Sequence, residues 1–555
     1  MNGLYFGDNL DILRESIKDE SVDLVYLDPP FNSKRDYNIF FITPKGHQST
    51  AQIDAFEDSW HWGEQAEREF AELIQQANTN MAEMIQAIRH FLGENDMMAY
   101  LTMMANRLLE LHRVLKPTGS LYLHCDPTAS HYLKIILDGV FGKENFRNDI
   151  TWKRQSAHSD AKTKFPVVSD TILFYAKSKA TVFKPQYGEH DPEYITKFYR
   201  HDDNDGRGLY QLADMAAPKG GGMAAINKIT GKPNGWYVWK GYHPPETGWR
   251  YSPETMQKLD NEERIYYPKK TDNNPDYEKR LRLKRYLDEQ EGSIITNIWF
   301  DIPSLTAAAG ETLGYQTQKP LALLERIINA SSNEGDVVLD PFCGCGTAVH
   351  AAQKLNRQWV GIDITHLAIS LIEKRLRDAF PDITFEVHGT PKDLDGARDL
   401  ATRNKYQFQW WACSLVNAQP YQGKKKGADS GIDGLIYFQD DDGPAKKIIV
   451  SVKGGENVSV AMVRDLGHVV EREKAQLGLF VTLAEPTRPM SEEATAAGYY
   501  ESATTGKSFP KIQILTIERL LNGSEQALYP DLGRGGLTFK KAKVEKKNSK
   551  QEDLF

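Results

Sequence analysis

The sequence predicts an α/β protein: a doubly wound, parallel-sheet core that is split by an insertion and followed by a second, smaller α/β unit. Three observations lead there. Short apolar runs rich in β-formers alternate with helical stretches over residues 1–180, and the alternation resumes over 313–395. Between them, residues 181–312 are polar, turn-rich and without a regular period. The composition shifts again before residues 405–530, and residues 531–555 form a basic, lysine-rich tail expected to be disordered.

The elements follow in order. Ser21–Leu27 is an apolar run stopped by Asp28-Pro29-Pro30, which reads as a buried strand ended by proline. A helix is predicted over residues 95–115, a turn at Lys116-Pro117-Thr118-Gly119 and a buried strand at Ser120–His124. A helix over 130–141 and strands at Asn148–Trp152 and Asp170–Tyr175 complete the first half. In the second half Leu321–Ala330 is amphipathic, Asp336–Leu339 is a strand, a helix runs to about Leu355, and Trp359–Asp363 is the next strand.

Composition bounds the function. At 40% hydrophobic and 26% charged residues the chain falls in the globular range. It contains no run of about 18 consecutive apolar residues, so no transmembrane helix is expected, and Met1–Tyr5 does not read as a signal peptide. Four sparse cysteines suggest no disulfide framework, so a reducing, cytoplasmic setting is expected. Cys343 and Cys345 lack nearby partners for a closed metal site and read as small side chains in a tight turn. The net charge of −8 is not that of a globally basic nucleic-acid binder. Local basic clusters at Lys153-Arg154 and Lys279–Arg285 could serve as a DNA face or be solvated surface.

Two motifs carry chemistry. Asp340-Pro341-Phe342-Cys343-Gly344-Cys345-Gly346-Thr347 follows a strand and opens a helix, as a turn that lets backbone approach a nucleoside ligand does. It lacks the third glycine of the dinucleotide pattern, which argues against a dehydrogenase. Asp363 ends the next strand, where an acid can accept from ribose hydroxyls. The second motif is Asp28-Pro29-Pro30-Phe31. The exocyclic amino nitrogen of a base is a poor nucleophile because its lone pair is delocalised into the ring. A carboxylate and an adjacent backbone carbonyl accepting from that group favour a more tetrahedral nitrogen. Proline fixes φ and removes a competing donor, and Phe31 offers a stacking face. On its own the tetrapeptide also reads as a turn after a strand.

Together, and in this order, the motifs resemble the amino-group DNA methyltransferases of the permuted β class, in which the catalytic half precedes the cofactor half. The tetrapeptide lies about 310 residues before the glycine turn. Gly7–Leu13, Ala55–Trp60, Leu115–Ser120 and Thr317–Pro320 match further motifs, and the resemblance covers about residues 1–180 and 312–390. It implies a Rossmann-like methyltransferase core with circularly permuted motif order, S-adenosyl-L-methionine as cofactor, and no metal for methyl transfer. It implies that Asp340, Phe342, Gly344, Gly346 and Thr347 meet the methionine side of the cofactor, Asp363 its ribose, Asp8 its adenine and Lys319 its carboxylate. Asp28, Pro29, Pro30 and Phe31 would hold a base flipped out of double-stranded DNA. Asp as the first residue of the tetrapeptide favours adenine N6 over cytosine N4. Residues 181–312 sit where the family carries its target-recognition domain. Their aromatic series, Trp236, Tyr237, Trp239, Tyr242, Trp249 and Tyr251, suits either DNA contact or core packing. The resemblance places the chain in a restriction-modification or orphan modification system. It allows a homodimer and a separate restriction subunit without specifying either.

Residues 405–530 resemble the Mrr-type branch of the PD-(D/E)xK nucleases, through Gly427–Ile436 and Lys446–Lys453. Asp433 and Lys453 match the pattern, while Ser451 stands where a metal-binding Glu or Gln is expected. Three readings stay open here: an Mg²⁺-dependent nuclease using Asp433, a nuclease-like fold kept for DNA or partner contact, and an unrelated α/β domain.

Overall fold

The computed structural model describes residues 2–30, 36–42, 48–57, 61–75, 78–155, 163, 165–220, 222–271, 273–306, 311–312, 318–421, 431–530, 537–539 and 541–545. Phe31, Asp58, Ser59, Trp60, Thr317 and Gly427–Ser430 lie outside the described residues.

Nine strands form the main sheet, in the order Ile298–Trp299, Phe146–Lys153, Ser169–Ala176, Leu115–Cys125, Val22–Leu27, Val337–Asp340, Gln358–Asp363, Gly3–Phe6 and Glu386–His388. All neighbours are parallel except around Ser169–Ala176, which runs antiparallel to both of its partners. The central strands are largely buried, Val22–Leu27 without a break, as expected for a sheet covered on both faces. One face is packed by the Asp96–Val114 and Ser130–Phe141 helices, whose Leu101, Met104, Leu108, Leu133 and Leu137 share a core with Val25, Leu121 and Leu123.

Every strand expected from the sequence in the two core halves is present. The Lys116–Gly119 turn is not a separate element. It is a bulge inside the Leu115–Cys125 strand, since Val22 pairs with Leu115 and Leu24 with Ser120. The extra residues are accommodated there because Lys116 bonds Asp23 across the strands at 2.7 Å.

Pro185–Thr296 forms a compact unit of its own, with a three-stranded antiparallel sheet of Tyr210–Asp214, Ile265–Tyr266 and Arg282–Tyr286. Core packing claims most of its aromatic series. Trp249 and Tyr242 are buried, and Tyr237, Trp239 and Tyr251 pack against them, leaving Trp236 exposed. The basic run alternates: Leu281 and Leu283 face that core while Lys279 and Arg280 stay in solvent.

The C-terminal region carries a five-stranded sheet, ordered Gln419–Pro420, Gly434–Phe438, Lys446–Lys453, Leu477–Thr482 and Ile512–Thr516. The Lys405–Leu415 and Val460–Arg472 helices cover it. The lysine-rich tail, expected to be disordered, is held where it is described. Thr538 bonds Tyr437 and Gln419, and Glu545 reaches the methyltransferase-like core, because each finds a partner for its polar groups there. Among the described residues no helix is long and apolar enough to cross a membrane.

Candidate active site

Val22–Leu27 and Val337–Asp340 lie side by side and parallel, though Asp23 and Val337 are 314 positions apart in the chain and bond each other at 2.9 Å. From these neighbours the sheet extends in opposite directions, toward Leu115–Cys125 on one side and Gln358–Asp363 on the other. Such a divergence opens a crevice at the carboxyl ends of the strands, where ligands bind in doubly wound sheets. Asp28 and Asp340 both stand at that edge.

The glycine turn is built by backbone bonds and two left-handed residues, Gly344 and Gly346. Cys343 donates to Ile362 at 3.0 Å and Gly346 to Cys343 at 2.7 Å. Gly346 has φ of +75°, and a Cβ there would lie 2.7 Å from Ile372 Cγ1, so only glycine fits. Thr347 opens the helix that follows. Asp363 ties the turn from the next strand, accepting from Gly344 N at 2.9 Å and from Thr365 N and Oγ1 at 2.9 Å. Burial pushes the Asp363 carboxyl up to about 6, even against these donors. Asp340 is more extreme: burial, then the neighbouring charges of Asp28 and Asp363, hold its carboxyl well above the ordinary range, although Phe342 N donates to it at 3.1 Å.

Lys319 sits among these acids and pairs with Asp28 Oδ2. The other Asp28 oxygen, Oδ1, is buried and has no hydrogen-bond partner among the described residues. An acceptor removed from water without a donor costs free energy, so its natural complement is a donor on a bound molecule. Pro29 is buried beside it and Pro30 half-buried. Behind them, in the sheet, Tyr26 contacts His124 at 3.2 Å and His124 contacts Asp170 at 3.1 Å.

Asp8 caps the Asn9–Ser16 helix through Leu10 N and pairs with Arg107 at 3.0 Å. Asn9 reaches Pro341 O at 2.8 Å and accepts from Arg107 Nε. The conspicuous Gly7–Leu13 motif thus physically links the chain start to the glycine turn. The sequence alone does not single out Asn9 and Arg107. Asn9 lay inside a recognised motif, whereas nothing local marks an arginine in a helix as buried.

The geometry therefore brings Asp8, Asp28, Pro29, Pro30, Lys319, Asp340, Phe342, Gly344, Gly346, Thr347 and Asp363 to one edge of one sheet. The second candidate site is different. Asp433 immediately precedes the Gly434–Phe438 strand and donates its backbone N–H to Val450 O at 2.8 Å, which sets it beside Ser451 on the antiparallel neighbour, with Lys453 two residues on. Both Asp433 oxygens are engaged, Oδ1 by Gln409 and Oδ2 by Val452 N at 2.6 Å, and Ser451 is buried. Among the described residues no group of three or more His, Cys, Asp or Glu could hold a metal ion, so Mg²⁺ finds no support. Cys343 and Cys345 are buried free thiols.

The sheet and its crevice define a Rossmann-like methyltransferase fold. Residues 22–374 match the family model for N6/N4 DNA methylases, described as DNA methylase, and the chain belongs to that family. Residues 413–522 match a family described as NACHT-associated inactive restriction endonuclease 1. The type II methyltransferase M.EcaI of Enterobacter cloacae is 33% identical over 50% of this chain and 57% of its own length. The Mod subunit of the type III restriction-modification enzyme StyLTI of Salmonella typhimurium is 28% identical over 63% of this chain and 50% of its own. The chain thus spans about half the length of the curated relatives it matches. A DNA modification methylase from Thermus thermophilus, complexed with S-adenosyl-L-methionine, aligns with 70% of this chain and 100% of its own at 17% identity and a TM-score of 0.33.

Proposed function

We propose that the protein transfers a methyl group from S-adenosyl-L-methionine to adenine N6 in double-stranded DNA, within a restriction-modification or orphan modification system. The observation that carries this reading is Asp28 Oδ1, a buried acceptor with no partner among the described residues, at the strand end adjacent to the glycine turn. It fits a base amino group, which brings two N–H donors.

The residues fit the cofactor as well. Gly344, Gly346 and Thr347 offer backbone at a helix N-terminus, and Asp363, Asp8 and Lys319 offer charges around it. Phe342 lies in the turn with Asp340, whose carboxyl burial pushes well above the ordinary range. When bound, the cofactor supplies an electrophilic methyl on a sulfonium. Asp28 and the Pro29 carbonyl accept from the target amino group and turn its lone pair toward the methyl. Pro29 and Pro30 hold those acceptors rigid. Lys319, paired with Asp28, holds that carboxylate in place. Alignment and charge placement supply the rate, and the base is flipped to reach the crevice. Pro185–Thr296 acts as the target-recognition unit, with Trp236, Lys279 and Arg280 as its solvent-facing contacts.

The C-terminal domain is a nuclease-like fold retained for DNA or partner contact without cleavage, a reading supported by Ser451 and the occupied Asp433 oxygens. Relatives named as restriction-modification Mod subunits support a separate restriction partner.

Purified protein incubated with labelled S-adenosyl-L-methionine and unmethylated DNA should place label in DNA, recovered as N6-methyl-2′-deoxyadenosine after nucleoside digestion. Label in N4-methyl-2′-deoxycytidine would assign the alternative base. Absence of label, with Asp28→Ala indistinguishable from wild type, would leave a silent DNA-binding protein.

A further inference from the structure

The Cys343–Thr347 turn is braced from a place far outside the residues that match the methylase family. Arg375, on the His366–Ala379 helix, is buried and donates to Cys345 O at 3.0 Å, Thr347 Oγ1 at 3.1 Å and His350 Nδ1 at 3.2 Å. These acceptors are all neutral. A guanidinium stays charged in proteins, and a buried charge without a counter-charge is costly. The nearest contacted carboxylate is one imidazole away: His350 Nε2 meets Glu545 Oε1 at 3.1 Å. Glu311 also acts on Arg375 through its field, ahead of Glu545.

The geometry fixes the proton. For Nδ1 to accept from Arg375, the His350 ring must carry its proton on Nε2, and Glu545 is the acceptor that holds it there. Burial and the Arg375 charge push His350 down to about 4, which keeps the ring neutral in this arrangement. Glu545 is itself seated by its backbone, which donates to Ala379 O at 2.9 Å, and by Lys354 at 3.6 Å. It belongs to the tail that runs on from the nuclease-like domain, past Thr538.

We infer that Glu545 is a positioning residue for the cofactor: through His350 and Arg375 it holds the carbonyl of Cys345 and the hydroxyl of Thr347 in the turn that receives S-adenosyl-L-methionine. The inference rests on the functional reading above. It makes the C-terminal tail part of the cofactor site without touching the cofactor. It also gives a reason for the tail to return to the core after crossing the nuclease-like domain.

The test uses the full chain. Cofactor affinity is measured by calorimetry, and KM for cofactor, KM for DNA and kcat are measured for wild type, Glu545→Ala, Glu545→Asp and Glu545→Gln, with melting temperatures. Glu545→Ala should weaken cofactor binding roughly ten-fold and raise the cofactor KM in parallel, with the DNA KM unchanged. Glu545→Asp, which keeps the charge, should recover more of that affinity than Glu545→Gln. Wild-type cofactor affinity in Glu545→Ala would overturn the inference. So would equal losses in both KM values with a lowered melting temperature, the signature of a merely structural contact. A wild-type protein that fails to bind S-adenosyl-L-methionine would instead overturn the functional reading, and the positioning role with it.

Discussion

Asp28 and Asp433 occupy similar places in two different sheets: each is an aspartate next to the end of a buried strand, at the edge of an α/β sheet. Their surroundings separate them. Asp28 shares one oxygen with Lys319 and keeps the other buried and unpartnered among the described residues. Asp433 has both oxygens engaged from within its own domain, and the neighbouring strand offers Ser451 where a second acid would be needed. The same residue type is an unmet acceptor in one sheet and a structural tie in the other. What a carboxylate can do is set by which of its lone pairs the fold has already used.

The sharpest way to break this comparison is to remove each acid. Asp28→Ala should cut kcat for methyl transfer by about 10²–10³-fold, the usual scale for losing one oriented polar group at the reacting centre, while leaving the fold intact. Asp433→Ala should leave methyl transfer unchanged. Instead it should lower stability by about 2 kcal/mol, because two donors lose their acceptor, and this would be read from a denaturant midpoint. Wild type with Mg²⁺ or Mn²⁺ should leave unmethylated DNA uncleaved. Metal-dependent cutting that Asp433→Ala abolishes would erase the contrast.

A smaller effect concerns the turn. Gly346→Ala puts a Cβ against Ile372 at φ of +75°. This costs about 1–3 kcal/mol and should raise the cofactor dissociation constant. The smallest is a pH dependence. Asp363 accepts hydrogen bonds as a carboxylate, and burial sets its titration at about 6. Protonation removes acceptors, so cofactor affinity should be flat above neutrality and fall as the pH drops through that value. Affinity that rises on acidification would contradict the assigned role.

The core was legible in the sequence because buried parallel strands read as apolar runs closed by proline or glycine. Asp28-Pro29-Pro30 and the Gly344–Gly346 turn announce their strand ends. The pairing of Lys319 with Asp28 was not legible. It depends on a crevice between strands that only the folded sheet brings together. The aromatic series of the inserted unit left two readings open for a related reason: Trp249 and Tyr242 look available in a polar segment, yet an irregular domain needs large rings to make any core at all. The brace from Glu545 was invisible, since an acid in a lysine-rich tail gives no local sign of a partner 195 positions away.

The account turns on Asp28 acting on adenine. Single-molecule sequencing of DNA from cells expressing the wild-type protein and Asp28→Ala reports the modified base and its motif together. N6-methyladenine is expected at one recurring sequence in the first sample and none above background in the second. N4-methylcytosine in the first, or an unchanged adenine signal in the second, would contradict it.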